Sequence, residues 1–276
     1  MSNKAVLYIC PTPIGNLEDI TLRALRILKE VDFIACEDTR VTQKLLNHFD
    51  IKTKLISYHK FSEREKTEEI IKLLKSGHNI ALVSDAGTPL ISDPGGELLK
   101  QAYYNGIKVE PLPGASAITT ALSGSTLSSS HFVFLGFLPR DQKGKEAMLE
   151  SFSDLNIVFY ESPNRLVETL KELEEIYGER NAVIARELTK IHEELRHDTL
   201  KNLYQHYEQN PPKGEITVII EGIAKEKVSK EEKELLHQIK LLKEEGFSSR
   251  DIAKIVSLLN NMPKKLIYEL VLANEK

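Results

Sequence analysis

Only two cysteines, Cys10 and Cys36, occur in the 276 residues. That scarcity excludes a disulfide framework, argues against a thiolate metal site, and makes the cytosol the default compartment. No apolar stretch is long enough to span a bilayer, and the amino terminus lacks a basic region followed by a signal-like apolar segment. A G-x-G-x-x-G run is missing, as is any loop ending in G-K-[ST], so neither a Rossmann-type dehydrogenase nor a phosphate cradle is expected. Positive charge is not in excess either. The formal net charge of -4 argues against an overall electrostatic drive toward nucleic acid but leaves room for a local basic patch.

What is present suits a globular protein, with 41% hydrophobic and 28% charged residues and enough length for two compact domains. Strand-like runs at 5–10, 33–36, 80–83 and 107–109 alternate with helical patterns at 21–29, 42–47, 65–75 and 97–104. This alternation predicts a mainly parallel sheet with helices on both faces. Pro111-Leu112-Pro113-Gly114-Ala115-Ser116-Ala117 then punctuates the chain, and a serine-rich segment follows at 123–130. Runs at 132–135, 157–160, 182–185 and 215–220, with 193–199 as a further strand candidate, predict a mixed α/β second half. From 224 the texture changes. Residues 225–245 are highly charged with leucines at helical spacing, and 248–258 and 263–272 read as short helices, Ser248 suiting an N-cap and Pro263 a first helical position. The expected organisation is an amino-terminal α/β domain over 1–116, a second α/β domain over 117–223 and a helical extension over 224–276. The extension reads either as a cap on the second domain or as a nucleic-acid-binding module carrying Arg250, Lys254, Lys264 and Lys265.

The densest motif is Ser84-Asp85-Ala86-Gly87-Thr88-Pro89-Leu90-Ile91-Ser92-Asp93-Pro94-Gly95, between an apolar strand and an amphipathic helix. Its glycines let backbone approach a ligand, and Asp85 stands at the carboxyl end of a strand, where open α/β sheets bind their ligands. The same residues also suit a tight surface turn, with Ser92 or Asp93 as the N-cap of the next helix. The first strand leads into Cys10-Pro11-Thr12-Pro13-Ile14-Gly15-Asn16-Leu17-Glu18-Asp19-Ile20-Thr21, where Asp19 or Thr21 can cap a helix. Glu37-Asp38-Thr39-Arg40 follows the second strand, reading as a site or as a helix start with favourable acidic charge. Ser57-Tyr58-His59-Lys60 offers His59 as a general base or ribose contact, although an exposed loop histidine is more often neither. Phe159-Tyr160-Glu161-Ser162-Pro163-Asn164-Arg165 and Ala185-Arg186-Glu187-Leu188-Thr189-Lys190 repeat the strand-to-helix pattern. His192 and His197 mimic a zinc motif, but five residues apart they fall on different faces of a helix, and no metal is implied.

Taken in order, the segments 11–21, 36–40, 84–95, 113–117, 159–165, 186–190 and 213–217 resemble the tetrapyrrole methylase superfamily of S-adenosylmethionine-dependent methyltransferases. Within it the chain is most similar to the branch that methylates a cytidine ribose 2′-oxygen in small-subunit ribosomal RNA. The resemblance covers roughly the first four-fifths of the chain, and the carboxy-terminal helices look like that branch's extension. It implies two α/β domains with S-adenosylmethionine in the cleft between them, a homodimer, and small-subunit ribosomal RNA, naked or in an assembled subunit, as partner. Family cofactor contacts carry over to Pro13, to Asp85, Ala86, Gly87 and Thr88, to Ser116 and Ala117, and to Tyr160, Gly214, Glu215 and Thr217. For the proton of the ribose hydroxyl the candidates are Glu37, Asp38, His59 and Glu187, with the Glu37-Asp38 pair preferred. Arg40, Arg140, Lys143, Lys145, Arg165, Arg186 and Lys190 are candidates for RNA phosphates, with solvated surface as the plain alternative. A small-molecule methyltransferase of the tetrapyrrole type and a non-catalytic RNA-binding protein are the rival readings.

Overall fold

The computed structural model describes residues 5–59, 63–127, 130–222 and 230–273. The chain divides into two compact units, residues 1–223 and 224–276. The junction expected at 223/224, residues 225–229 of the charged run, residues 128 and 129 of the serine-rich segment and Lys60 lie outside the described residues.

The first unit holds two five-stranded sheets. In the first, β1 (Val6–Ile9), β2 (Phe33–Cys36), β3 (Lys54–Ser57), β4 (Ile80–Leu82) and β5 (Lys108–Pro111) lie in the order β3-β2-β4-β1-β5, every pairing parallel. Such a sheet must be covered on both faces, and alternate side chains divide accordingly. Leu7, Ile9, Ile80 and Leu82 pack on Ile70 and Leu74 of α3 (Glu63–Lys75) and on Leu98 and Ala102 of α4 (Gly96–Tyr104). Ile34, Cys36, Ala81 and Val83 pack on Ala24, Ile27 and Leu28 of α1 (Leu22–Glu30) and on Leu46 of α2 (Thr39–His48). Both cysteines are buried thiols, and burial pushes Cys10 up to about 12, so it is inert as a nucleophile at neutral pH.

The second sheet is mixed rather than parallel. Its order is β6-β7-β10-β8-β9, built from β6 (Phe132–Phe137), β7 (Asn156–Glu161), β8 (Asn181–Arg186), β9 (Glu194–Thr199) and β10 (Ile216–Ile220). Only β6 and β7 are parallel. One face buries Ile157, Phe159, Ile184 and Val218 under Leu166, Leu170 and Leu173 of α7 (Pro163–Tyr177) and Leu200, Leu203 and Tyr207 of α8 (Leu200–Gln209), with Leu149 of α6 (Gln142–Glu150) joining this core. The opposite face, Val158, Val183, Ala185 and Ile219, packs on α5 (Ala117–Gly124) and on Ile14 and Leu188. Ile14 belongs to the loop after β1, so this core joins the two sheets.

Two local expectations are corrected. Segment 186–190 does not enter a helix: Glu187 and Thr189 have φ of 49° and 66°, and the chain turns back into antiparallel β9. Neither Ser92 nor Asp93 caps α4, whose N-cap is Gly95 without a side-chain bond; the carboxylate of Glu63 accepts the Gly95 N–H at 3.1 Å and the Glu97 N–H at 3.4 Å instead. The punctuated stretch near 116 runs straight into α5, which its prolines and glycine concealed. By contrast Thr21 does cap α1, accepting the Ala24 N–H at 3.0 Å.

The second unit is a three-helix cluster of α9 (Lys230–Glu244), α10 (Ser249–Leu259) and α11 (Lys264–Ala273). Leu235, Ile239, Ile252, Val256, Ile267 and Val271 form its core. Ser248 caps α10 by accepting the Asp251 N–H, and Pro263 stands one residue before α11. Arg250, Lys254, Lys264 and Lys265 are exposed.

Candidate functional site

The loops that follow β1 and β4 leave adjacent strands and are stitched to each other by backbone. Thr12 and Gly87 exchange N–H···O bonds of 2.9 and 3.0 Å, and the Thr12 hydroxyl donates to the Ser84 carbonyl. Ser84 in turn donates to the Gly87 carbonyl at 3.0 Å, and Thr88 donates to the Ala115 carbonyl beyond β5 at 3.0 Å. This network satisfies the polar backbone that a glycine- and proline-rich loop leaves without strand partners. It also holds one wall of a cavity of about 420 Å³.

That wall consists of Asp85, Ala86, Gly87 and Thr88 with Ile91, Ser92 and Asp93, and of Ser116 and Ala117 at the start of α5. Across from it stand Tyr160 and Glu161 at the end of β7, and Gly214, Glu215 and Thr217 at the start of β10. Ile14, Phe137 and Leu188 add apolar surface. Tyr160 meets Phe134 edge-on at 5.0 Å between ring centroids, which fixes its plane. Burial, then the Asp93 and Glu215 carboxylates, push its phenol up to about 12, so it stays neutral. Every cofactor candidate from the sequence lines this cavity except Pro13, whose neighbour Ile14 does.

The proton-acceptor candidates are placed differently, none of them lining the cavity. Asp38 caps α2 by accepting the Arg40 N–H at 2.8 Å and is paired with the Arg40 guanidinium at 2.6 Å. Those bonds hold its carboxyl down to about 2, which makes it a weak base. The Asp38 N–H itself donates to Asp85 at 3.1 Å. Glu187 is paired with Lys190 at 2.8 Å and accepts the Glu215 N–H at 2.9 Å, and these partners lower its pKa. Glu37 and His59 follow β2 and β3 at the same sheet edge. The residue that sequence reasoning passed over is Asp93. Burial, reinforced by the Glu37 and Asp85 carboxylates, pushes it up to about 6. Its signal was present, a second aspartate in the densest motif, but a turn-plus-cap explanation accounted for it locally.

The cationic candidates also separate. Arg40 is 87% exposed at its side chain, and Arg140 and Lys143 are exposed. Arg186 is paired with Glu194 at 3.0 Å, and Lys190 bridges Glu187 and Glu215 at the cavity mouth. Arg165 donates to the carbonyls of Leu138 and Pro139 and lies 3.5 Å from Glu161. Lys145 is only 3% exposed and paired with Glu172. Lys145→Met is therefore expected to leave RNA affinity within about twofold while lowering stability by about 2 kcal/mol, because Glu172 loses its counter-charge in a partly buried setting. Filter binding and urea melts read the two quantities separately.

His192 lies in a turn and His197 on β9, where its Nδ1 is 3.1 Å from the Thr126 hydroxyl. Among the described residues no group of histidine, cysteine and carboxylate side chains is placed to hold a metal. None of the described helices is long and apolar enough to cross a membrane.

A parallel sheet whose carboxyl-edge loops face a second, mixed sheet across a cofactor-sized cavity is the architecture of a class of methylases. The chain belongs to the tetrapyrrole (corrin/porphyrin) methylase family, whose model matches residues 6–204; S-adenosylmethionine is the cofactor of that family. It is 46% identical to the ribosomal RNA small subunit methyltransferase I of Halalkalibacterium halodurans, over 97% of this chain and 95% of that protein. It is 48% identical to the protein of the same name from Thermotoga maritima, over 78% of this chain and 98% of that one. Among solved structures, the uroporphyrin-III C-methyltransferase of Thermus thermophilus complexed with S-adenyl homocysteine shares the fold at a TM-score of 0.57 and 18% identity, over 80% of this chain and 98% of that one.

Proposed function

We propose that this protein transfers a methyl group from S-adenosylmethionine to a cytidine ribose 2′-oxygen of small-subunit ribosomal RNA. The observation that carries the reading is the cavity, acidic and glycine-opened on one wall and aromatic on the other, in a chain so similar to methyltransferases named for that RNA. The residues fit the cofactor. Its ammonium and sulfonium are cationic and match the carboxylates of Asp85 and Glu215, its carboxylate and adenine suit the backbone groups of 86–88 and 116–117, and about 420 Å³ lies within the usual range for small-molecule sites. When bound, S-adenosylmethionine supplies a methyl carbon on a good leaving group.

Within this reading the protein's own contribution is mostly positioning. Asp85 holds cationic groups, and burial has already raised its pKa against the pull of the Asp38 N–H. Tyr160, Phe137 and Leu188 exclude water from the reacting end. Arg40, Arg140 and Lys143 hold phosphates. A homodimer and an assembled small subunit as substrate belong to the same reading.

The test uses labelled S-adenosylmethionine, the purified protein and small ribosomal subunits from cells lacking it. Label recovered as 2′-O-methylcytidine is the expected outcome. Label on a base or on another nucleoside would correct the acceptor, and unlabelled RNA despite tight cofactor binding would redirect the search to tetrapyrrole precursors. Subunit binding should weaken steeply with salt, because each phosphate contact releases counterions.

A further inference from the structure

Several carboxylates line the cavity, and most already have partners. Asp85 accepts the Asp38 N–H at 3.1 Å. Glu161 accepts the Ser162 N–H at 2.7 Å and the Thr169 hydroxyl at 2.8 Å and lies beside Arg165. Glu215 is paired with Lys190 at 2.9 Å. Asp93 differs. None of the ion pairs among the described residues includes it; it lines the same cavity as Asp85 and Tyr160, with the Ser84 hydroxyl as hydrogen-bond partner and the Glu37 and Asp85 carboxylates near enough for their charge to act on it. The backbone delivers it there at a cost. Leu90 and Ser92 have φ of 73° and 71° without being glycine, backbone strain of the kind that persists where a site requires it.

We propose that Asp93 is the catalytic base that takes the proton of the substrate ribose 2′-hydroxyl, a role that rests on the ribose-methylation reading above. The hydroxyl oxygen gives its proton to an Asp93 carboxylate oxygen and uses its electron pair to form the bond to the methyl carbon. The bond from that carbon to sulfur breaks with its pair left on sulfur. One positive charge and one negative charge are thus replaced by a neutral thioether and a neutral carboxylic acid.

The surroundings suit this task. A carboxylate tied to an arginine, such as Asp38, has little proton affinity, and a fully solvated one little more. Burial and two like-charged neighbours push Asp93 up to about 6, near the working pH at which general bases are most effective, yet low enough to leave it ionised at neutrality. Asp38 and Glu187 are held in the opposite direction.

The test compares Asp93→Asn and Asp93→Glu with the wild type in the full chain, on small ribosomal subunits lacking the modification. Asp93→Asn is expected to slow single-turnover methylation by about 10²–10⁴-fold, with cofactor affinity by calorimetry within about threefold. The acid limb of the wild-type pH–rate profile, with an apparent pKa at or below about 6, should vanish in Asp93→Asn and move in Asp93→Glu. A second readout needs no turnover. A carboxyl raised in the folded state stabilises the fold fully below its ordinary value of 3.8 and loses that contribution as pH rises through about 6. Without cofactor, Asp93→Asn should therefore melt above the wild type at pH 8 and converge with it below pH 4.

An Asp93→Asn protein with the wild-type rate and acid limb overturns the proposal, and so does a loss of cofactor affinity that accounts for the lost rate. If the asparagine variant does not fold, an unmoved acid limb in Asp93→Glu overturns it. A wild type that binds cofactor but leaves subunit RNA unmethylated refutes the functional reading itself and this role with it. An active wild type with an unimpaired Asp93→Asn refutes only the assignment of the base.

Discussion

Arg165→Ala is expected to lower the unfolding free energy by about 3 kcal/mol, the scale for stripping one partner from a buried ion pair. The Glu161 side chain is 0% exposed, at the end of β7 where it lines the cavity. Arg165 sits 3.5 Å from it while donating to the Leu138 and Pro139 carbonyls at 3.2 and 3.3 Å. Alanine would leave the carboxylate with only the Ser162 N–H and the Thr169 hydroxyl, and would free two carbonyls that tie the end of β6 to the start of α7. Arg165→Lys should recover less than half of the loss, because a point charge cannot serve the carboxylate and both carbonyls together. Chemical denaturation measures the effect. Unchanged stability combined with weakened RNA binding would reassign Arg165 to a phosphate.

Gly214→Ala is expected to weaken cofactor binding and to slow methyl transfer by about a hundredfold, the rate penalty for misplacing positioning groups by about an ångström. Gly214 has φ of 88°, and an added Cβ would lie 2.6 Å from the Glu187 Cγ and closer still to its carboxyl group. Glu187 cannot swing aside without losing Lys190 and the Glu215 N–H. The clash is relieved either by Glu187 letting go of Lys190 and the Glu215 N–H or by Gly214 moving, and either route disturbs Glu215, part of the second-sheet wall of the cavity. Gly178→Ala is the control. Its φ is also positive, at 64°, so alanine is strained there too, but no atom lies within 4 Å of the added Cβ. It should cost stability alone. Equal cofactor affinity in the two variants would show that the Glu187 corner does not position the cavity wall.

Much of the fold was legible because the signals are local. The run 80–83 followed by small residues and then 97–104 encodes strand, loop and helix within a few turns of chain, and β4 and α4 lie there. Thr21 announces the start of α1 because a cap needs only the next three residues. Legibility failed where a local pattern had two solutions. Residues 185–190 look like another strand-to-helix entry, yet pairing of β8 with β9 turns them into a hairpin connection with two left-handed residues. The helix α5 was hidden because its start, after Pro113 and Gly114, carries turn residues whose helical state is stabilised by packing on the second sheet.

The alternation of elements, the order of the ligand loops and the family can be read along the chain, since periodicity, turn chemistry and motif order are properties of neighbouring residues. Which charges are occupied follows from folding alone. Lys145 and Arg165 look like phosphate ligands in the chain and are held by Glu172 and Glu161 in the fold. Asp38 looks like a base and is neutralised by Arg40, whereas Asp93 looks like a cap and stands among carboxylates. Glu37 follows β2 whereas Asp85 and Asp93 share the loop after β4, so Glu37 adds its repulsion only once parallel pairing brings β2 beside β4. Proton affinity depends on the distance between groups and on burial, and neither is encoded in spacing along the chain.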